Sequence, residues 1–342
     1  MFIHSQFEPV WWLKNAHAQT LYPSLTNRLK ATIDHYERLE LPDGDFIDLA
    51  WAVNNFSDNS PLVVLLHGLG GDVNSVYIAG LLNAFNNQGY RGVVMHFRGA
   101  GLEPNRLPRA YHSGDTEDLA YFLEILARRE PESPKAVVGI SLGGNILLKW
   151  LGETGAQSLV KTAVAVSVPF QLQTIAEQIG KGFSRIYEAY LLRAMRSLFL
   201  RKLNTIKKRL PISEKDLYEL KTLKEFDDRI TAPLHGFKNA EIYYQKSSSR
   251  QFLGKIDTET LIIHALDDPF MIPQIIPQEK ELSSKVTLEL SRHGGHVGFI
   301  AAANDNATRP VYWLEQRIPE FLKQYLEVPI INFKKGNSTT SL

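Results

Sequence analysis

The stretch Gly139-Ile140-Ser141-Leu142-Gly143 decides the fold of this chain. The apolar run Ala136-Val137-Val138 precedes it, and a helix-compatible run follows over residues 144–150. A serine flanked by glycines between a strand and a helix is typical of a nucleophile elbow, because a side chain at either glycine would collide with the neighbouring backbone. The sequence therefore predicts that Ser141 projects above the sheet as an attacking nucleophile.

Apolar runs rich in Val and Ile alternate along the chain with segments of helical period. This alternation predicts a mostly parallel sheet with helices on both faces. The hairpin turn Pro42-Asp43-Gly44-Asp45 predicts that the first two strands are antiparallel. The predicted strands are 35–41, 46–53, 62–66, 92–96, the run before Ser141, 162–168, 260–265 and 285–290; the predicted helices include 75–87, 115–129 and 311–325, after an irregular start around 11–17.

Composition narrows the class of protein. The 342 residues are 44% hydrophobic and 22% charged, which is typical of a globular protein with one large α/β domain and an insertion, or with two domains. A net charge of +1 and the lack of any nucleic-acid signature argue against a nucleic-acid partner. The chain has no cysteine, which excludes disulfides, thiolate metal sites and cysteine nucleophiles. With no signal-peptide pattern and no run long enough to span a membrane, we expect a cytoplasmic protein.

A nucleophilic serine needs a general base, and His296 is the best-placed candidate. It follows the last predicted strand, where a loop would leave the same sheet edge as Ser141. The glycines at 294, 295 and 298 would let this loop fold inward. His293 is the alternative base.

The third group should be a carboxylate that orients the imidazole. Asp267 and Asp268 both follow the predicted strand 260–265, and we favour Asp268 because it directly precedes Pro269. Asp267 stays the alternative. The order Ser, Asp, His along the chain is that of α/β hydrolases.

An oxyanion hole should accompany the triad. The N–H of Leu142, directly after the nucleophile, is one expected donor. The loop His67-Gly68-Leu69-Gly70-Gly71 follows the strand 62–66, and Leu69 is the expected second donor. His67 itself is expected to be structural.

Four further motifs carry a family resemblance: Asn15-Ala16-His17-Ala18-Gln19-Thr20-Leu21, His96-Phe97-Arg98-Gly99-Ala100-Gly101, Tyr111-His112-Ser113-Gly114-Asp115-Thr116-Glu117-Asp118 and Gly294-Gly295-His296-Val297-Gly298-Phe299. With them the chain resembles the YheT-like esterases of the AB-hydrolase type 4 group, over about residues 10–325. The resemblance implies a carboxylic-ester hydrolase, with relatives that act on medium-chain esters or lipids, and carries Ser141, Asp268 and His296 over as nucleophile, acid and base. We expect Arg98 to form an ion pair with Asp115 or Asp118, and His112 to be a packed or surface histidine that takes no part in the reaction.

The insertion between Val168 and Thr260 should form a helical cap over the nucleophile. We expect a hydrolase core over 1–168 and 260–330, a cap over 169–259 and a flexible tail over 331–342. The cap contains an apolar helical stripe and, between Lys181 and Arg209, nine basic residues against the single acid Glu188. Two interpretations follow: a lid over an apolar pocket with its charges in water, or a peripheral contact with an anionic membrane. The stripe comprises Ile186, Tyr187, Tyr190, Leu191, Ala194 and Leu198, continued by Phe199.

The sequence thus predicts two-step acyl transfer from a small-molecule ester to water, with no cofactor and no metal. Asp43 and Asp45 are interpreted as turn residues, since the other ligands of a calcium loop are missing. An alcohol acyltransferase or a thioesterase would use the same triad. An inactive scaffold that binds lipid or protein through the basic cap is the alternative of another class. The oligomeric state is not predicted.

Overall fold

A computed structural model of the chain describes residues 1–26, 29–54 and 56–327. The tail predicted over 331–342 lies outside the described residues. No helix of the described part is long and apolar enough to cross a membrane.

A single mixed sheet forms the centre of the molecule. In the described residues it has nine strands in the order β1-β9-β8-β7-β6-β4-β5-β3-β2. All neighbours are parallel except β2 with β3 and β3 with β5. The strands are β1 Phe2–His4, β2 His35–Glu40, β3 Phe46–Ala52, β4 Leu62–Leu66, β5 Arg91–Met95, β6 Lys135–Ile140, β7 Thr162–Val166, β8 Glu259–Ala265 and β9 Val286–Ser291.

Helices cover both faces of this sheet, and a separate antiparallel hairpin, β10 Ile300–Ala303 with β11 Asn306–Tyr312, follows β9. α3 illustrates why the helices form where they do: its apolar residues recur at helical spacing and are buried, while Glu117 and Asp118 lie in its first turn, where the helix dipole favours acids. The helices are α1 Ala16–Thr26, α2 Ile78–Asn87, α3 Glu117–Arg129, α4 Leu142–Thr154, α5 Leu172–Ile179, α6 Arg185–Arg201, α7 Leu203–Ile206, α8 Glu214–Glu219, α9 Leu223–Phe226, α10 Ala232–Leu234, α11 Ala240–Ser247 and α12 Leu314–Leu322.

The apolar core is split by the sheet into two layers. One layer packs α3 and α4 against the sheet, and the other packs α2 and α12 against the opposite face. The central strands β4, β5, β6 and β7 are buried along their whole length, which explains why their sequences are apolar except for Arg91, Lys135 and Thr162 at the first positions of β5, β6 and β7. A third cluster holds together the helices between β7 and β8.

The predicted α/β-hydrolase architecture with an antiparallel first hairpin is confirmed, but one predicted helix was wrong in its extent, and two elements, α1 and β1, were not predicted. Residues 311–325 are not one helix, because Val311 pairs with Ala301 in the β10–β11 hairpin and α12 begins only at Leu314. The irregular segment predicted over 11–17 ends at residue 15, and the helix α1, which was not predicted, begins at Ala16. The short strand β1, which pairs in parallel with β9, was not predicted, since three residues are too few to show a periodicity.

Candidate active site

Ser141 occupies the tight turn between β6 and α4. Its backbone has φ 54° and ψ −117°, a conformation that is uncommon for a residue with a side chain and is typical of strained functional sites. The flanking glycines are required by close packing: a Cβ on Gly139 would lie 2.5 Å from the carbonyl oxygen of Gly143, and one on Gly143 would lie 2.6 Å from that of Leu66. The elbow therefore holds the Ser141 hydroxyl at the carboxyl end of the central strand.

The structure brings Ser141, His296 and Asp268 together. The Nε2 atom of His296 lies 3.0 Å from Oγ of Ser141, and its Nδ1 atom lies 2.8 Å from Oδ2 of Asp268. Asp268 is only 3% exposed, and its Oδ1 accepts a hydrogen bond from the N–H of Phe270 at 2.9 Å. The Phe270 ring stacks on the His296 imidazole with centroids 4.0 Å apart. The imidazole is thus oriented from two sides.

Asp267 and His293, the two alternatives, face each other outside this chain of hydrogen bonds. Nδ1 of His293 lies 3.4 Å from Oδ2 of Asp267. The other oxygen of Asp267 accepts a hydrogen bond from the N–H of Gly295 at 3.0 Å. Asp267 therefore supports the loop that carries His296, without touching the His296 imidazole.

Helix α1 is the second support of the histidine loop. The hydroxyl of Thr20 accepts a hydrogen bond from the N–H of His296 at 2.9 Å. The buried side chain of Gln19 donates to the carbonyls of Leu13 and Ile300 and accepts from the N–H of Ile300. The Asn15–Leu21 motif therefore has a structural role at this site, whereas His17 contacts α6 through the Tyr187 hydroxyl, 3.0 Å from its Nδ1.

The glycine loop after β4 is held by two tyrosine hydroxyls. Tyr77 accepts a hydrogen bond from the N–H of Gly68, and Tyr111 accepts one from the N–H of Gly70, both at 2.8 Å. Between them, the N–H of Leu69 has no acceptor among the described residues, and the same is true of the N–H of Leu142. Two amide donors are therefore free beside Ser141.

Two buried histidines support the same region in their neutral form. Nδ1 of His67 lies 2.8 Å from the carbonyl of Gly68, and Nε2 accepts from the N–H of Phe97 at 3.2 Å. Burial lowers the pKa of His67 to about 4. Burial also lowers the pKa of His96, whose Nε2 accepts from the N–H of Val73. Both rings therefore organise the loop as hydrogen-bonding groups.

Arg98 is buried in an ion-pair network away from the triad. Its guanidinium donates to both oxygens of Asp118 at 2.7 Å, and also contacts Asp43 and Asp45. Desolvation opposes its charge, but the neighbouring carboxylates prevail and raise the pKa of Arg98. Of the two partners proposed from the sequence, Asp118 is the observed one, since Asp115 pairs with Arg109. Asp43 and Asp45 thus add ion pairing to their role in the turn.

A cavity of about 640 Å³ opens above Ser141, beneath the helices between β7 and β8. Its wall is mostly apolar and includes Leu191, Met195 and Phe199 of α6. Among the described residues that line it there are three acids, Asp72, Asp227 and Glu315, and no Lys or Arg. The cavity is therefore suited to an uncharged, largely apolar molecule.

None of the basic residues of the 181–209 segment lines this cavity. Seven of the nine are exposed: Lys181, Arg185, Arg193, Arg201, Lys207, Lys208 and Arg209. The other two are Arg196, which is half-buried and donates to the carbonyls of Leu217 and Leu220, and Lys202. The ammonium of Lys202 is buried and donates to the carbonyl of Leu107, to the carbonyl of Arg109 and to the side-chain oxygen of Asn105. Lys202 thus fixes the segment to the hydrolase core.

Comparison with known proteins assigns the class. Residues 61–303 match the model of a family described as the alpha/beta hydrolase fold, so the chain belongs to that family. It is 45% identical over 324 residues to "Putative esterase YheT" of Escherichia coli strain K12, which covers 94% of each chain, and this confirms the resemblance noted above. It is 28% identical to the monoacylglycerol lipase of Saccharomyces cerevisiae, over 91% of this chain and 67% of that one. Among solved structures, a soluble variant of Saccharomyces cerevisiae monoglyceride lipase in complex with a substrate analogue aligns with a TM-score of 0.56 at 14% identity, over 89% of this chain and 99% of that one.

Sequence reasoning missed the residues that position the predicted groups. Phe270, Thr20, Tyr77 and Tyr111 all act through contacts between distant segments, which leave no local periodicity. Thr20 and Tyr111 belong to motifs quoted from the sequence, but no role was predicted for either of them. Phe270 and Tyr77 were not singled out.

Proposed function

We propose that this α/β hydrolase, an enzyme of the esterase and lipase type, cleaves uncharged medium-chain or lipid-like carboxylic esters through Ser141, His296 and Asp268. The observation that supports this most is the continuous hydrogen-bonded chain from Asp268 through His296 to a serine on a strained elbow. The cavity above it is mostly apolar and free of Lys and Arg among its described residues, which favours a neutral ester over an anionic one.

In the proposed mechanism, Nε2 of His296 takes the hydroxyl proton as Ser141 attacks the ester carbonyl. The N–H groups of Leu69 and Leu142 donate to the oxygen that becomes negatively charged, and their lack of an acceptor among the described residues supports this role. Asp268 stabilises the imidazolium, which then protonates the leaving alcohol. Water repeats the cycle on the acyl-enzyme and releases the acid.

Hydrolysis of p-nitrophenyl acetate, butyrate, octanoate and palmitate tests this proposal. We expect the octanoate ester to give the highest kcat/KM, because its chain can bury apolar surface in the cavity. Ser141→Ala should abolish hydrolysis above background. Equal rates for wild type and Ser141→Ala would show that the elbow is not catalytic.

A bulky residue in the cavity wall should change the chain-length profile. We expect Leu191→Trp to lower octanoate hydrolysis relative to acetate hydrolysis, since Leu191 lines the cavity. Ser197→Trp is the matched control, because Ser197 is exposed on the same helix. A Leu191→Trp variant with an unchanged profile would contradict an acyl site in this cavity.

We also propose that the segment 181–209 makes a peripheral contact with an anionic membrane. Ile186 and Tyr190 line the cavity and are still 56% and 68% exposed. Exposed basic residues lie beside them on the same segment, and each basic residue near an anionic surface adds about 1 kcal/mol of attraction. The cytoplasmic location expected from the sequence stays a prediction.

Liposome flotation tests the contact. Lys181→Glu, Arg185→Glu and Arg193→Glu together should reduce flotation with phosphatidylglycerol-containing liposomes. The control carries Lys246→Glu, Lys280→Glu and Lys323→Glu, which reverse three exposed charges outside the 181–209 segment. Flotation that does not depend on lipid charge would contradict the membrane contact.

A further inference from the structure

A group of polar side chains lines the cavity and takes no part in the proposed triad. We call it the polar cluster; it comprises His112, Asp227, Thr231, Tyr243 and Tyr244, all of which line the same cavity as Ser141. Asp227 and Thr231 are the first and last residues of a π-helical turn, a rare conformation that is frequent at functional sites. Ring contacts join His112 to Tyr243 and Tyr243 to Tyr244.

Hydrogen bonds connect the polar cluster to the helix that begins after the nucleophile. The hydroxyl of Tyr243 accepts from the N–H of Ser113 at 2.9 Å. The carbonyl of Ser113 in turn accepts from the side chain of Asn145 at 2.7 Å. Asn145 lies one turn after Ser141 in α4. The cluster is therefore linked to the nucleophile helix through the backbone of Ser113.

The hydroxyl of Thr231 is an unsatisfied group. Thr231 is 4% exposed, and its Oγ1 makes no hydrogen bond of normal geometry among the described residues, although the carboxylate of Asp227 lies close enough to interact with it. A buried hydroxyl without a partner destabilises the fold, and valine, which has the same shape, would avoid this penalty. A ligand in the cavity that hydrogen-bonds to Oγ1 would remove the penalty.

The neighbouring groups offer both a donor and an acceptor. Nδ1 of His112 accepts from the N–H of Gly114 at 3.1 Å, so the proton of the neutral imidazole lies on Nε2. Burial holds the pKa of His112 well below its usual range, which keeps the ring neutral. Asp227 accepts from the Tyr244 hydroxyl at 2.8 Å, and burial raises its pKa to about 6. A hydroxyl group, which donates and accepts, fits this set.

Charge argues against an anionic ligand group. The described residues of the cavity wall include Asp227 and no Lys or Arg, so a phosphate here would meet a carboxylate with no compensating cation. We propose that the polar cluster is a subsite that recognises an uncharged hydroxyl group of the ester substrate, carried on its acyl chain or on its alcohol. This inference rests on the proposed function in one respect, that the ligand is an ester.

Binding to the Ser141→Ala protein tests the subsite without turnover. Calorimetry would compare glyceryl monooctanoate with propyl octanoate, for a hydroxyl on the alcohol, and ethyl ω-hydroxyoctanoate with ethyl octanoate, for a hydroxyl on the acyl chain. In one pair we expect the hydroxylated ester to bind about three- to tenfold more tightly, as one or two hydrogen bonds would give. The pair that shows the preference identifies the source of the hydroxyl.

Thr231→Val, added to Ser141→Ala, should reduce this preference to less than about twofold. Asp227→Asn is the second variant and should reduce it as well. Thr154→Val is the matched control, since the Thr154 hydroxyl bonds to the carbonyl of Trp150 and does not line the cavity. A preference in neither pair, or one that survives both Thr231→Val and Asp227→Asn, would overturn the subsite. These binding measurements do not depend on catalysis. If the wild type failed to hydrolyse esters, the proposed function would be refuted, but the binding preference would still test the subsite.

Discussion

The substitution Asp268→Asn tests whether Asp268, rather than the neighbouring Asp267, is the acid of the proposed triad. Asp268→Asn keeps the shape of the side chain but can place an N–H donor where Oδ2 now lies, 2.8 Å from Nδ1 of His296. Nδ1 would then accept, so the imidazole proton would move to Nε2. Nε2, 3.0 Å from the Ser141 hydroxyl, could no longer take its proton.

We expect kcat to fall by about 10⁴, which is about 5.5 kcal/mol of transition-state stabilisation, because control of the tautomer in a Ser-His-Asp triad has this magnitude. Asp267→Asn is the matched control. It keeps a side-chain oxygen for the N–H of Gly295 and loses only a half-exposed pair with His293, so we expect kcat within about fivefold of wild type.

The assay is steady-state hydrolysis of p-nitrophenyl butyrate by wild type, Asp268→Asn and Asp267→Asn, with thermal denaturation to verify that each variant is folded. If Asp267→Asn lost as much activity as Asp268→Asn, or if Asp268→Asn stayed within tenfold of wild type, the assignment of the acid would be refuted.

Three further predictions concern the elbow, the ion-pair network and pH. Gly143→Ala should destabilise the protein severely, as measured by urea unfolding, because its Cβ would lie 2.6 Å from a backbone carbonyl; mild destabilisation would contradict the tight turn. Arg98→Met should cost about 3 to 5 kcal/mol of unfolding free energy, since it leaves the buried carboxylate of Asp118 unpaired; a loss below 1 kcal/mol would argue against the buried pair. Burial lowers the pKa of His67 and His264 to about 4, while unfolded histidine titrates near 6.5. The unfolded chain therefore binds more protons between these values, so the free energy of unfolding should fall as the pH drops from 6.5 to 4, by up to about 3 kcal/mol for each histidine. Urea unfolding at pH 7 and pH 4.5 of wild type and His264→Gln would check this, and an equal pH dependence in the two proteins would contradict the contribution of His264.

The strands and the elbow could be predicted because their signals are local. The buried strands contain short apolar runs such as Leu62–Leu66 and Ala136–Val138, and the elbow needs its glycines within five residues. The hairpin β10–β11 was missed because Val311 and Tyr312 lie directly before an amphipathic helix and fit its period. Pairing with another strand, which the sequence does not display, decides their conformation.

The segment between β7 and β8, predicted to form a cap, was the least predictable part of the chain. The stripe on α6 correctly indicated an apolar wall, since Tyr187, Leu191 and Phe199 line the cavity. The position of Lys202 was not foreseeable, because its partners are backbone carbonyls from a loop of the core. The polar cluster likewise joins residues 112, 227 and 244, which only the folded chain brings together.

Mass spectrometry of the protein after reaction with a fluorophosphonate tests the central claim most directly, because this reagent is attacked by an activated serine in an oxyanion hole. We expect a single covalent adduct on the peptide that contains Ser141, and no adduct on Ser141→Ala. Equal labelling of Ser141→Ala, or no labelling of the folded wild type, would contradict it.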